Sequence, residues 1–294
     1  MKSRFLFPRY FRIIGLLMAL PGFVLGYFVV FKDYRIPGFG LELRTKSYLD
    51  RAQFENFTNE LALTLVIIGL GFIAFSKVKR EDELTARIRL NALYWAILIN
   101  FVFYIFCMCV QLLNIGQIND TFAAFLTYNL FTPLLIFIAR FYYLLYKNRN
   151  EYQVTRLHFL SHKPFNMLGK LLSLVLIVPT LYTLIFDFWG SSYADYAFYF
   201  LPVTFLLWIY SKEHVEDEYI NSMRLDAMQL AVYVNYLILL LANVFCYGIT
   251  FLLIQTLNLI TIPLIFVVIF QYRLFRLSRQ TGKKSGNNLN MGLL

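Results

Sequence analysis

The sequence predicts an all-α polytopic membrane protein with eight transmembrane helices in two parallel four-helix repeats. Three observations carry that expectation. Hydrophobic residues make up 59% of the chain against 15% charged, with a mean hydropathy of +0.60, a composition outside that of water-soluble globular domains. Uncharged apolar stretches recur along the chain at the length a bilayer core demands, roughly 20 residues. A shift of 135 positions also lays one polar motif, and the helix it opens, onto a second copy.

Taken in order, the expected spans are about 13–31, 61–75, 90–113, 122–146, 170–187, 196–210, 225–249 and 257–277. The first follows Lys2, Arg4, Arg9 and Arg12, as a secretory signal would. Its apolar part is long and no small-x-small cleavage site follows, so it reads as an uncleaved anchor. Residues 32–60 form a mixed-charge outer loop with a candidate short helix near Lys46 to Phe57, suited to a cap or an external contact surface. The last two spans share one uncharged stretch, Ala227 to Tyr272, in which the polar Gln255, Thr256 and Asn258 mark the expected turn.

The formal net charge of +10 alone would suit a nucleic-acid binder, but its distribution argues otherwise. Cations such as Lys77, Lys79, Arg87, Lys147, Lys163, Lys212, Arg273 and Lys284 fall on one side of the predicted spans. The other side has only Lys32, Arg35, Arg44, Lys46 and Arg51. This asymmetry predicts cytoplasmic N and C termini. It makes anionic inner-leaflet lipid the expected partner. Aromatics beside cations in Arg140-Phe141-Tyr142-Tyr143 and Tyr272-Arg273-Leu274-Phe275-Arg276 read as interfacial anchors. Cys107, Cys109 and Cys246 fall within spans and read as packing residues.

The repeat is densest between residues 76 and 100. There Ser76, Lys77, Glu81, Asp82, Glu83, Arg89, Leu90, Ala92, Ala96 and Asn100 meet Ser211, Lys212, Glu216, Asp217, Glu218, Arg224, Leu225, Ala227, Ala231 and Asn235 without a gap. Chance supplies about one or two such identities, so duplication is the reading. With the second copy five residues shorter in the next outer loop, Pro133 also meets Pro263 and Tyr142 meets Tyr272. Four crossings per unit is an even number, so the copies enter from the same side and are parallel. The expected organisation is a first repeat at 1–148, a cytoplasmic linker at 149–169, a second repeat at 170–279 and a disordered tail at 280–294.

On a continuous helix turning about 100° per residue, Asp82, Arg89, Ala92, Ala96 and Asn100 share one stripe. The small-x3-small pattern Ala92, Ala96, Asn100, repeated as Ala227, Ala231, Asn235, predicts a helix-packing seam between the third and seventh helices. The acidic triplets Glu81-Asp82-Glu83 and Glu216-Asp217-Glu218 sit at cytoplasmic helix starts, where carboxylates favour the positive dipole end. Read more sharply, six carboxylates near an axis offer oxygen ligands to Mg²⁺ or Ca²⁺, though no spacing matches a known metal loop. Arg89 and Arg224 are expected to snorkel to the interface or to pair with Asp82 and Asp217. His158 and His162 have metal-pair spacing without a third ligand, and His214 stands alone. No cofactor, metal site or catalytic residue is assigned, because no phosphate loop, dinucleotide glycine pattern, nucleophile elbow or zinc-protease motif is present.

The element Ser-Lys-x3-Glu-Asp-Glu-x5-Arg, opening an apolar helix, resembles a motif in uncharacterised bacterial multi-pass inner-membrane proteins. The resemblance implies that location and topology, and no activity or active site. The first functional reading is a non-enzymatic signalling, regulatory or assembly module with a cytoplasmic or membrane protein partner. The alternatives are a secondary transporter on parallel repeats and a metal-dependent enzyme acting on a membrane substrate at the cytoplasmic interface.

Overall fold

The computed structural model describes residues 6–40, 56–79, 81–112, 129–147, 159–186, 192–213, 217–246 and 249–291. Among these the structure is helical, with only isolated β-bridges besides. The α-helices are α1 (Phe11–Lys32), α2 (Thr58–Phe75), α3 (Glu83–Leu112), α4 (Thr132–Lys147), α5 (Met167–Phe186), α6 (Ser192–Ile209), α7 (Glu218–Phe245) and α8 (Ile249–Met291). A π turn, His162–Asn166, leads into α5. Among the described residues six helical segments are long and apolar enough to cross a bilayer: Phe11–Lys32, Thr58–Phe75, Glu83–Val110, His162–Tyr182, Tyr219–Phe245 and Leu257–Arg279. The chain is a helical membrane protein.

Two compact units emerge, residues 1–158 with 235–259, and residues 159–234 with 260–294. Chain order alone predicted a boundary near 149. Residues 235–259 join the first unit because Asn243 Nδ2 donates to Glu60 O and to Thr64 Oγ1, each at 2.9 Å, tying α7 to α2. In this unit α1 packs along α2, and α3 along α4. Small residues set the α1–α2 approach. A Cβ on Gly15 would stand 2.5 Å from Gly69 O, and one on Gly69 would stand 2.6 Å from Ala19 N, so the backbones touch where side chains are missing. In the second unit α5 packs on α6, and a Cβ on Gly169 would lie 2.6 Å from Trp208 N.

Several expected boundaries move for physical reasons. Helices α3 and α7 start earlier than the spans 90–113 and 225–249, at Glu83 and Glu218, because Asp82 and Asp217 cap them. The turn expected at Gln255, Thr256 and Asn258 is instead a helical stretch of α8; α7 ends at Phe245 and α8 begins at Ile249. Gln255 and Asn258 are buried, and Asn258 Oδ1 accepts from Asn235 Nδ2 at 2.8 Å. Polarity there marks a hydrogen bond between helices, not a turn. Pro133 opens α4, whereas its sequence counterpart Pro263 lies inside α8. Residues 280–291, with the composition of a disordered tail, continue α8; extending an existing helix adds a hydrogen bond per residue without a new nucleus. Most of the short helix expected in the outer loop, and the expected span residues 122–128, lie outside the described residues.

Candidate functional site

The last carbonyls of an α-helix have no partner within it and need donors from elsewhere. At the end of α2 three in succession are met. Arg89 Nη1 donates to Ala74 O at 2.7 Å, Phe7 N to Phe75 O at 3.0 Å, and Arg89 Nη2 to Ser76 O at 3.3 Å. Lys77 N returns a bond to Phe7 O at 2.9 Å, so the segment before α1 lies as a single parallel bridge beside Ser76. Arg9 extends the cover, with Nε donating to Val78 O at 2.9 Å and Nη2 donating to Lys79 O.

Arg89 is 1% exposed. A buried guanidinium is costly unless its donors and charge are matched; here Nη1 and Nη2 are matched, while the buried Nε finds no hydrogen-bond partner among the described residues. Glu81 Oε1 stands 3.3 Å from Nη2, while Glu81 Oε2 accepts from Val78 N at 3.1 Å. The guanidinium carbon lies 4.5 Å from the Phe141 ring centre, with Phe75, Phe137 and Phe141 stacked in sequence at 5.4 and 5.9 Å. A planar fork with several donors suits two carbonyls and a carboxylate at once. Its charge also complements the negative end of α2.

The end of α6 in the second unit has the same arginine-to-carbonyl and bridge contacts. Arg224, 1% exposed, donates through Nη1 to Ile209 O at 2.7 Å and Ser211 O at 2.8 Å. Leu160 N donates to Tyr210 O at 2.8 Å, and Lys212 N to Leu160 O at 2.9 Å. Both arginines therefore reach carbonyls fifteen and thirteen residues earlier. The rings of Phe159 and Phe270 stand 4.6 and 5.0 Å from the Arg224 guanidinium carbon. His162 occupies the place of Arg9, 153 positions on, as Leu160 occupies that of Phe7. Its Nδ1 lies 3.0 Å from Lys212 O, within hydrogen-bond reach.

These contacts correct the expected roles of the arginines. They do not snorkel, and the carboxylate beside Arg89 is Glu81. Asp82 Oδ1 accepts from Thr85 N at 2.8 Å and from Thr85 Oγ1 at 2.7 Å, and Asp217 Oδ1 from Ile220 N at 2.7 Å. Both are N-caps. Glu83 is exposed and pairs with Arg87 one turn on, at 3.1 Å. Glu216, His158 and His214 lie outside the described residues, as does the side chain of Glu218. Among the described residues no three His, Cys, Asp or Glu side chains stand together as a metal site.

The seam residues Ala92, Ala96, Ala227 and Ala231 have no exposed surface, and Asn100 and Asn235 are buried. The cysteines are free thiols: Cys107 is buried and Cys109 exposed.

Sequence comparison missed Phe7, Arg9 and a second polar centre on Glu213. Glu213 accepts from Lys170 Nζ at 3.1 Å, Gln271 Nε2 at 3.3 Å and Asn166 Nδ2 at 3.4 Å, and Asn166 also donates to Ser211 Oγ at 3.0 Å. Glu213 falls on Val78 when the sequence is shifted by 135 positions. A search for shared residues passes over it, whereas a search for buried-side charge near the motif would find it.

No protein-family model, no curated protein and no solved structure matches the chain.

Proposed function

We propose that this chain is a non-enzymatic module of a bacterial cytoplasmic membrane, with a signalling, regulatory or assembly role. In this reading it has eight crossings in two parallel four-helix repeats, with both termini cytoplasmic. The observation that carries it is the engagement of Arg89 and Arg224 with backbone carbonyls at identical separations. The shared motif thereby joins one helix end to the next helix start, which is the work of a scaffold. Equal separations, the paired bridges at Ser76 and Ser211 and the paired Asp caps all support duplication.

What faces outward at the motif is charge, chiefly Lys77, Lys79, Glu83, Arg87 and Lys212. This is the surface offered to a partner. Crosslinking in native membranes tests it. Charge reversal at Lys77 and Lys212 is expected to abolish a specific crosslinked partner while the protein remains folded; partner capture unchanged by both reversals contradicts the reading.

A second reading, transport, is favoured by one observation: the hydrogen bonds of the buried amides Asn235 and Asn243, to the Asn258 amide and the Thr64 hydroxyl, in the first unit. Polar groups inside membrane helices are costly and often line substrate routes. Solute flux in proteoliposomes that Asn235→Leu removes supports it, and flux no higher than in empty vesicles contradicts it.

A further inference from the structure

An open groove of about 510 Å³ runs along α5 in the second unit, lined among others by His162, Lys163, Lys170, Leu171, Leu174 and Val175. The groove surface is almost wholly apolar, and the lining residues that carry polar groups come from one end of it. His162 and Lys163 precede the helix, Lys170 lies one turn in, and beyond Lys170 the named lining is wholly apolar. Leu171, Leu174 and Val175 are exposed, as are Met167, Leu168 and Val178 on the same helix. Residues 167–178 rise about 17 Å, close to the roughly 15 Å hydrocarbon depth of one leaflet.

The charges at the mouth differ in availability. Lys170 is held by Glu213 at 3.1 Å, so that pair is close to neutral. Lys163 is exposed and has no carboxylate partner among the described residues. Its exposed ammonium leaves this end of α5 with a net positive charge next to the apolar trough. On a membrane helix the molecules that reach such a trough are lipids. The occupant that satisfies both ends carries a phosphate anion and an acyl chain.

We propose that this groove binds one anionic glycerophospholipid, with the headgroup phosphate at Lys163 and an acyl chain laid along Leu171, Leu174 and Val175. The site goes beyond the module reading and rests only on α5 crossing the membrane, so either can fail alone.

The test uses the full chain in mixed vesicles of phosphatidylglycerol and phosphatidylethanolamine, followed by native mass spectrometry of the gently extracted protein. One retained phosphatidylglycerol per chain is expected, in excess over the vesicle ratio. Lys163→Gln should lower that excess about fivefold, the worth of one interfacial cation. Leu174→Trp, which fills the trough and leaves the charges, should lower retention of both lipids. Lys32→Gln, at the far end of another helix, should change neither.

Equal retention of the two lipids by the unaltered protein overturns the proposal, as does an excess unaffected by both Lys163→Gln and Leu174→Trp. Spectra dominated by a lipid-free dimer that Leu174→Trp dissociates also overturn it, since the occupant is then a second copy. Circular dichroism and a single sizing peak establish that each variant is folded before it is scored.

Discussion

Arg89 Nη1 lies 2.7 Å from the carbonyl oxygen of Ala74, so a side chain on α3 closes the backbone of α2. The two helices are thereby locked at the turn that joins them. Glu81, in that turn, meets the same guanidinium at 3.3 Å. Helix end, connecting turn and next helix form one hydrogen-bonded body rather than two rods on a free hinge.

The caps are separable from the clasp. Asp82→Ala and Asp217→Ala should each lower stability by about 1 kcal/mol, the usual worth of an N-cap, measured by unfolding in detergent. Because their oxygens already accept helix N–H groups, EDTA should leave the melting temperature unchanged. A large fall on chelation, with a divalent ion found in the purified protein, contradicts the capping role.

The α1–α2 contact depends on missing side chains. Gly69→Ala places a Cβ 2.6 Å from Ala19 N and should cost about 1–3 kcal/mol through forced backbone shifts. Gly71→Ala, with nothing within 4 Å of the added carbon, should be neutral or stabilising by up to about 1 kcal/mol. Equal effects from the two would mean that the helices do not approach through Gly69.

Asn235 donates to Asn258 within the first unit at 2.8 Å. Asn235→Ala should cost about 1 kcal/mol, as interhelical hydrogen bonds in membranes do, and Asn258→Ala about the same. In a double-mutant cycle the two losses should be strongly non-additive; simple addition would show that the amides act separately.

Much of this was legible in the sequence, and the exceptions have physical causes. Hydropathy located the apolar helices because lipid tolerates little else over that length. The motif residues Arg89 and Arg224 stood out because they recur. Their roles did not, since a cation near a helix start is consistent with snorkelling until the carbonyls of Ala74 and Ile209 are seen to face it. Phe7 was invisible because it contributes backbone groups, which any residue supplies. Gln255 and Asn258 were misread because a polar pair looks alike in a turn and in a buried bond between helices. Glu213 escaped because the position it meets at the 135-residue shift, Val78, carries no charge.

The central claim is that the shared arginines are structural clasps, and unfolding free energies of Arg89→Ala, Arg224→Ala and the corresponding lysine variants in lipid nanodiscs test it most directly. Each alanine change should lose about 3–5 kcal/mol, because each strips charge-assisted hydrogen bonds from two helix-end carbonyls, and at Arg89 also leaves Glu81 without its guanidinium. Lysine should recover only part of that, because one ammonium cannot reproduce the planar fork. Alanine variants within about 0.5 kcal/mol of the unaltered protein, the range of inconsequential surface changes, would contradict the account.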